Sequence, residues 1–319
     1  MNLANHPVFH ALAPVFLLIA AGYLAGRRGW IGATSVKDLS NLVFLLLTPA
    51  LLFRTMGQVR VETLDLRPIV AYFPAVLLLL LASIAWRGFN PRSVVLALGG
   101  TFSNMVMIGI ALVGLAYGQA GLVTLLTLVA VHALILLTIG SVVVELAAAR
   151  ESQRESGAVP RLRSTAWSAI KGSVIHPVPL PIVCGLLFAQ TGWTLPVVVD
   201  KPLQWLGNAF GPLALVMVGV SLASTPLRGQ WREALWVATS KNLVLPVLVG
   251  VSAWLWGIDG LAWTVMVVAA ALPMGANVFL FAQRYRVVEN LTTAAMGLST
   301  VLAMLTLSAV MLVMGWLAG

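Results

Sequence analysis

The sequence predicts an all-α polytopic membrane protein with ten transmembrane helices in two halves of five. Three observations predict this fold: the composition, the distribution of basic residues among the loops, and a pair of polar interruptions inside apolar spans. Hydrophobic residues make up 60% of the chain and charged residues 9%, whereas about 25% of the residues in soluble domains are charged. Because the mean hydropathy is +0.98, a soluble domain is excluded.

The apolar spans define two repeats separated by a polar segment. At about 20 apolar residues per crossing, the first repeat, residues 1–149, holds spans near residues 8–26, 38–54, 68–86, 93–116 and 121–146. The second repeat, residues 173–319, holds spans near residues 174–191, 201–223, 233–256, 261–283 and 290–317. Residues 150–172 are rich in Ser, Glu and Arg, and this composition predicts a cytoplasmic linker.

Basic residues alternate between the loops as the positive-inside rule requires. Fourteen follow odd-numbered spans: Arg27, Arg28, Lys37, Arg87, Arg92, Arg150, Arg154, Arg161, Arg163, Lys171, Arg228, Arg232, Arg284 and Arg286. Four lie on the opposite side: Arg54, Arg60, Arg67 and Lys201. This predicts that both termini are outside. Because each half has an odd number of spans, any structural repeat must be inverted.

Two spans carry polar interruptions at matching positions of the two halves. Unwound backbone at membrane depth is tolerated only where protein or a water-filled cavity satisfies it, and such a pair points to a transporter's midplane binding site. The helix-break candidates are Gly100, Gly109 and Gly275, and the substrate-binding candidates are Ser103, Asn104, His132, Lys241, Pro273 and Asn277. Helix halves that begin at a break present free N–H groups and a positive dipole end to an anion. The alternative is that Asn and Ser bond across packed helices and that Pro273 only kinks its helix.

Lys241 and His132 are the ionisable candidates, because intramembrane charge is costly. Lys241 either contributes to a substrate site, snorkels to the interface, or binds a carbonyl at a broken helix end. His132 either donates to a substrate carboxylate, shuttles a proton, or bonds to a carbonyl of a neighbouring helix.

Missing motifs narrow the chemistry. The sequence has no P-loop, no HExxH and no GxSxG motif, so ATP-driven transport and an enzyme are disfavoured. With the single cysteine Cys184, we expect no metal and no cofactor. The net charge of +9 comes from loops without a long basic run, so no nucleic-acid partner is predicted.

Several motifs resemble the auxin efflux carrier family, which includes plant auxin exporters and bacterial malate and malonate permeases. They are NLVFLLLTPALLF in the second span, GTFSNMVMIGIALV in the fourth, GPLALVMVGVSLA in the seventh, KNLVLPVL in the eighth, and the stretch from Pro273 to Tyr285. The resemblance implies broken fourth and ninth helices that cross at the substrate site. It also implies a scaffold of helices one, two, six and seven beside a moving domain, and a homodimer. One departure is Gly109-Ile110-Ala111, where family members usually have Gly-x-Pro.

These observations favour a secondary carrier for a small organic anion such as malonate, malate or an auxin-like carboxylate, working by alternating access in the cell inner membrane. H⁺ or Na⁺ is the candidate coupling ion. One rival is a sodium-coupled symporter of the bile acid carrier type, with Thr101, Ser103 and Asn277 as sodium ligands. A rival from another class is a membrane receptor that binds its ligand without moving it.

Overall fold

The computed structural model describes residues 7–59, 65–156, 179–223 and 230–317. These residues form helices joined by turns, and one isolated antiparallel bridge is present instead of a sheet. Six described helices are long and apolar enough to cross a membrane: Asp38–Met56, Arg67–Arg87, Met105–Val129, Val197–Ala223, Trp231–Leu255 and Glu289–Leu317. The all-helical polytopic class is confirmed, while the count of ten spans and the inverted repeat stay predictions. Residues 157–172 of the predicted linker lie outside the described residues.

The helices follow one another in this order: α1 Pro7–Arg27, α2 Ala33–Leu42, α3 Thr48–Met56, α4 Arg67–Arg87, α5 Pro91–Thr101, α6 Ile110–Ser156, α7 Pro179–Gln190, α8 Val197–Ala223, α9 Trp231–Thr239, α10 Leu245–Leu255, α11 Gly260–Ala271, α12 Asn277–Tyr285 and α13 Glu289–Leu317. π-helical segments lie at Val43–Leu47, Met105–Gly109 and Ser240–Val244. Within α6, Gly118 is non-helical with φ 60°, between the predicted fourth and fifth spans.

Two of the π-helical segments have a local cause in the sequence. Pro49 and Pro246 each stand two residues after a π segment, at the start of the next α-helix. Proline lacks an N–H and clashes with the carbonyl four residues earlier, so a wider turn accommodates it. Met105–Gly109 adopts the same π geometry although Ala111 stands at the corresponding position. The departure from Gly-x-Pro therefore leaves this segment π-helical.

The chain divides into two compact units that do not follow the two sequence halves. The first contains Met1–Leu66, Met105–Ala130 and His176–Thr225, and the second contains Arg67–Asn104, Val131–Ile175 and Pro226–Gly319. The first unit thus includes the predicted spans one, two, six and seven. The family resemblance assigns those four spans to the scaffold, but Met105–Ala130, from the predicted fourth and fifth spans, also belongs to this unit.

In the first unit, α1 and α8 approach closely through glycines. A Cβ on Gly22 would lie 2.0 Å from the Val216 carbonyl oxygen, and a Cβ on Gly219 would lie 1.9 Å from the Ile19 carbonyl oxygen. The small-xxx-small spacing of Gly22 and Gly26 predicts this contact, and the structure confirms it. Near the ends of α3 and α8, the Arg54 guanidinium binds the Asp200 carboxylate at 2.7 and 3.1 Å.

In the second unit, polar contacts join α4 and the start of α5 to the α9–α10 segment at two levels. Arg87 and Arg92 share the Glu233 carboxylate at 3.1 and 2.6 Å. Further along, the Ser252 hydroxyl donates to the Ala71 carbonyl at 2.6 Å. At the start of α5, Asn90 caps the helix by accepting from the Ser93 N–H at 2.9 Å, which satisfies one of the unbonded donors of a helix start. These contacts fix the helices that surround the broken segments.

Candidate functional site

Two helices of the second unit end at short unwound segments. The α5 helix ends at Thr101 and the chain becomes helical again at Met105, while α11 ends at Ala271 and α12 begins at Asn277. We call residues 102–104 and 272–276 together the crossover. Breaks therefore occur in both of the spans that carry polar interruptions in the sequence.

The two segments of the crossover satisfy each other's backbone. The Asn104 N–H donates to the Pro273 carbonyl at 2.8 Å, and the Gly275 N–H donates to the Phe102 carbonyl at 2.8 Å. Ser103 and Met274 form the antiparallel bridge between these bonds. Because lipid offers no hydrogen-bond partners, mutual pairing is what allows two unwound segments to persist at membrane depth.

The three predicted helix-break glycines occupy different places. Gly275 lies within the crossover, where a Cβ would come 2.9 Å from the Phe102 ring and 3.2 Å from the Ser103 carbonyl oxygen. Gly100 is instead the penultimate residue of α5, and Gly109 ends the π-helical segment. The first break thus falls between these two glycines, at residues 102–104, where Phe102 and Asn104 exchange backbone hydrogen bonds with the second segment.

The substrate-binding candidates divide by accessibility. Ser103, His132, Lys241 and Pro273 are buried, whereas Asn104 and Asn277 are half-buried. Asn104 immediately precedes the helix that starts at Met105, and Asn277 is the first residue of α12. The two amides are therefore the candidates that a ligand at the crossover can reach.

Lys241 is fully buried in the π-helical segment Ser240–Val244. Its Nζ donates to the Ala270 carbonyl at 2.5 Å and to the Leu272 carbonyl at 2.6 Å. These carbonyls belong to the last turn and the end of α11, where helical partners are missing and the dipole is negative. Snorkelling is excluded by the 0% exposure, and the geometry matches the third alternative, a bond between Lys241 and a broken helix end.

A second polar group holds the same break from its other side. The Met274 N–H donates to the Ser299 hydroxyl at 2.9 Å, and that hydroxyl donates to Asn242 Oδ1 at 2.5 Å. Asn242 Nδ2 in turn donates to the Ser299 carbonyl at 3.1 Å. Together with Lys241, these residues satisfy the buried polar groups around Met274 and fix the conformation of the second segment.

The first segment faces polar groups that lack partners. His132 is 2% exposed and contacts the rings of Phe102, Tyr72 and Phe73 at centroid distances of 4.9, 6.0 and 6.4 Å. Among the described residues, neither ring nitrogen of His132 has a hydrogen-bond partner, and neither has the Tyr72 hydroxyl or the Ser103 hydroxyl. The Tyr72 hydroxyl is near enough to Ser103 to interact with it electrostatically, but the pair does not reach hydrogen-bonding geometry. The expected alternative for His132, a bond to a neighbouring carbonyl, is not formed.

Thr101 does not contribute to a sodium cage in this conformation. Its hydroxyl donates to the Ala97 and Leu98 carbonyls of its own helix at 3.1 and 3.3 Å. Within the described residues, no group of three or more His, Cys, Asp or Glu side chains is placed to hold a metal ion.

A model of the family described as "Membrane transport protein" matches residues 7–311. The chain belongs to this membrane transport protein family. Its members are transporters and not enzymes, so the predicted resemblance to the auxin efflux carriers and the expectation of a transporter are both confirmed.

Three relatives of this family member illustrate its range. The chain is 24% identical to a "Putative malonate transporter" of Rhizobium meliloti (strain 1021), over 92% of each chain. It is 23% identical to "Auxin efflux carrier component 8" of Arabidopsis thaliana, over 87% of this chain and 89% of the relative. It is 27% identical to the "Lysosomal cholesterol signaling protein" of Mus musculus, over 76% of this chain but only 29% of that much longer protein.

Sequence reasoning missed part of what surrounds the crossover of this family member. Ser299, Tyr72 and Asn242 are not among the residues that the sequence predicts for the site. The available signal was a polar side chain inside an apolar span: Asn242 follows Lys241 in SKNLV, and Ser299 stands in GLST. That signal does not reveal which polar groups meet, because their contacts join residues up to 57 positions apart.

Proposed function

We propose that this member of the membrane transport protein family is a secondary carrier that moves a small organic anion by alternating access, with the crossover as its substrate site. The observation that carries the proposal is the mutual backbone pairing of two broken helices. This pairing stabilises unwound backbone at membrane depth and leaves the amides of Asn104 and Asn277 accessible. A structural kink alone would need neither two breaks nor their pairing.

An anion suits the electrostatics of the crossover. The α12 helix begins at Asn277, and a helix start favours negative charge by about 0.3–1 kcal/mol. The Lys241 ammonium, buried beside the second segment, is bonded to two carbonyls and not to a carboxylate. A carboxylate that leaves water needs donors and a counter-charge, and these groups supply both.

Malonate is the first substrate to test, because the relative that matches over 92% of both chains carries that name. Malate and an auxin-like carboxylate follow, since all three share the carboxylate that the crossover would bind.

For the membrane arrangement, we propose ten helices in a five-plus-five inverted repeat with both termini outside, in the cell inner membrane. Support comes from the matching breaks in the fourth and ninth predicted spans and from the alternation of basic residues. A homodimer formed through the scaffold spans is proposed by analogy with the family.

Sodium coupling of the bile acid carrier type has less support. Sodium would need a cage of hydroxyls and carbonyls, and the Thr101 hydroxyl is bonded within its own helix. No observation favours a receptor. If uptake stops when choline replaces sodium, the sodium-coupled symporter is favoured over the proposed carrier. Net movement of radiolabelled substrate across the membrane distinguishes the carrier from a receptor, which binds its ligand without moving it.

The test is uptake of radiolabelled mono- and dicarboxylates, malonate included, into proteoliposomes that contain the purified protein. Asn277→Ala removes an amide at the accessible side of the crossover, and stranding a polar partner costs about 1–3 kcal/mol. We therefore expect the apparent Kd of the transported substrate to rise about 5- to 150-fold. Asn290→Ala is the matched control, because Asn290 is exposed at the start of α13 and should leave the Kd unchanged.

Two results would contradict the proposal. Uptake of every carboxylate at the level of protein-free liposomes would reject the carrier itself. Parental affinity and transport in Asn277→Ala would reject the crossover as the place where the substrate binds.

A further inference from the structure

We propose that His132, Tyr72 and Ser103 form a proton site that fills together with the substrate, so that the carrier takes up one proton with each anion. This inference rests on the proposed function and adds to it the coupling ion and the residue that carries it. The proton would reside on the imidazole of His132, entering from one side of the membrane with the anion and leaving with it on the other.

The first step is the cluster of unpartnered polar atoms. Both nitrogens of His132, the Tyr72 hydroxyl and the Ser103 hydroxyl are buried and have no hydrogen-bond partner in the part of the chain that the structure describes. Buried polar groups nearly always have partners, and each exception needs an explanation. Tyr72, Ser103 and His132 lie beside one segment of the crossover, whereas Lys241, Asn242 and Ser299 beside the other segment all form hydrogen bonds. The contrast within one unit indicates that the first cluster is built for an occupant.

The second step is the chemistry of the occupant. The cluster provides few ligands for a metal ion, because it contains one imidazole and two neutral hydroxyls and no carboxylate. The same groups are suited to binding a proton. Protonated imidazole donates through both nitrogens, and hydroxyl oxygens such as those of Tyr72 and Ser103 can accept. The neutral ring, in contrast, has one donor and one acceptor.

The third step links the proton to the anion. Among the described residues, the rings of Tyr72 and Phe73 from α4 and of Phe102 contact His132, and the charge of Lys241 acts on it electrostatically. A second buried cation within the field of Lys241 is unfavourable while the site is empty. A bound carboxylate supplies the missing negative charge, so the proton and the anion each favour binding of the other, by the same factor.

The fourth step concerns the substrate class. Phe102 contacts His132 and also accepts the backbone bond from Gly275, so the proton site adjoins the proposed anion site. With Lys241 charged and His132 protonated, the loaded site carries two positive charges. A dicarboxylate such as malonate balances both, whereas a monocarboxylate balances one. The inference therefore favours dicarboxylates.

The experiment measures proton entry with malonate. Proteoliposomes are loaded with the pH indicator pyranine, and external malonate is added between pH 7 and pH 9, where carboxylates remain ionised. We expect the lumen to acidify in step with malonate uptake. Since the proton binds with the anion, raising the pH should weaken malonate binding, by up to tenfold per pH unit.

Variants assign the proton to the cluster. His132→Gln retains a polar side chain that does not titrate, so it should abolish acidification. The Kd of this variant for malonate should not change with pH, and it should equal the weak Kd that the parent shows at high pH. Tyr72→Phe removes one acceptor and should shift that pH dependence toward lower pH. Tyr23→Phe is the matched control in α1, where the side chain is 39% exposed, and it should behave as the parent.

The outcomes separate the two proposals. Malonate uptake by the parent without acidification overturns the proton site and leaves the carrier intact. Acidification and an unchanged pH dependence in His132→Gln also overturn the assignment. Absence of uptake for every carboxylate rejects the carrier and this inference with it. If His132→Gln does not fold, the parent measurement and Tyr72→Phe still decide.

Discussion

Replacing Lys241 by methionine tests whether this lysine holds the broken helix. Methionine keeps most of the length of the side chain but removes the ammonium that donates to the Ala270 and Leu272 carbonyls. The substitution leaves two buried carbonyls at the end of α11 without these donors. We expect the protein to fold and insert, with an altered crossover.

The size of the effect follows from the two bonds. A hydrogen bond from a charged donor contributes about 1.5–3 kcal/mol, so the two contribute roughly 3–6 kcal/mol. Removing the buried ammonium returns part of this, because its desolvation costs several kcal/mol. A net loss of about 1–2 kcal/mol would lower the ratio of ordered to disordered crossover about 5- to 30-fold. The maximal transport rate should fall, by at most that factor, and the melting temperature should fall with it.

The assay combines thermal unfolding in detergent with substrate uptake at saturating and subsaturating concentrations. Lys201→Met is the matched control, because Lys201 is exposed and its side chain bonds only weakly to Gln204, at 3.4 Å. The control should match the parent in both measurements. A Lys241→Met protein with the parental melting temperature and the parental maximal rate would refute the reasoning.

Three further predictions concern packing, turnover and topology. Gly22→Ala should destabilise the protein by roughly 1–3 kcal/mol or more, since the new methyl would lie 2.0 Å from the Val216 carbonyl oxygen. Gly315→Ala is the control and should not destabilise the protein, because its new methyl has no described atom within 4 Å. Equal melting temperatures for the two variants would count against the close packing. Pro273→Ala restores an N–H to the second segment of the crossover. In uptake kinetics we therefore expect the turnover rate to fall more than the affinity for substrate. An unchanged turnover rate would show that the proline is dispensable. In intact cells that express a protein without its native cysteine, an impermeant thiol reagent should label Thr194→Cys and not Ser156→Cys; the reverse pattern would disprove the predicted orientation.

The sequence was sufficient to predict the helical membrane class and to identify the two spans that are interrupted, but not the residues at which the first interruption lies. Composition and apolar length identify membrane helices because the bilayer requires them. Pro273, Gly275 and Asn277 identify the second break because each disfavours a regular helix. Gly275 proved to be the glycine required by close approach to Phe102.

Partner choice could not be predicted in the same way. The position of Lys241 left three roles open, and only the distances to Ala270 and Leu272 distinguish them. The role of Ser299, which bonds both Met274 and Asn242, depends on how α13 packs against two other elements. The local sequence of a helix does not encode such contacts, since they depend on helix rotation and register.

The backbone pairing at the crossover has a consequence for the evolution of substrate range. The bonds between Asn104 and Pro273 and between Gly275 and Phe102 use main-chain atoms, which every residue supplies except for the missing N–H of proline. Side chains at positions such as Ser103 and Met274 can therefore be exchanged without losing the bonds that keep the two segments together. Substitutions at these positions can change which molecule is recognised there while the backbone pairing of the two segments is conserved. This separation between structural main-chain bonds and variable side chains is consistent with the relatives of the chain. They share about a quarter of its residues, yet they carry names as different as malonate transporter and auxin efflux carrier.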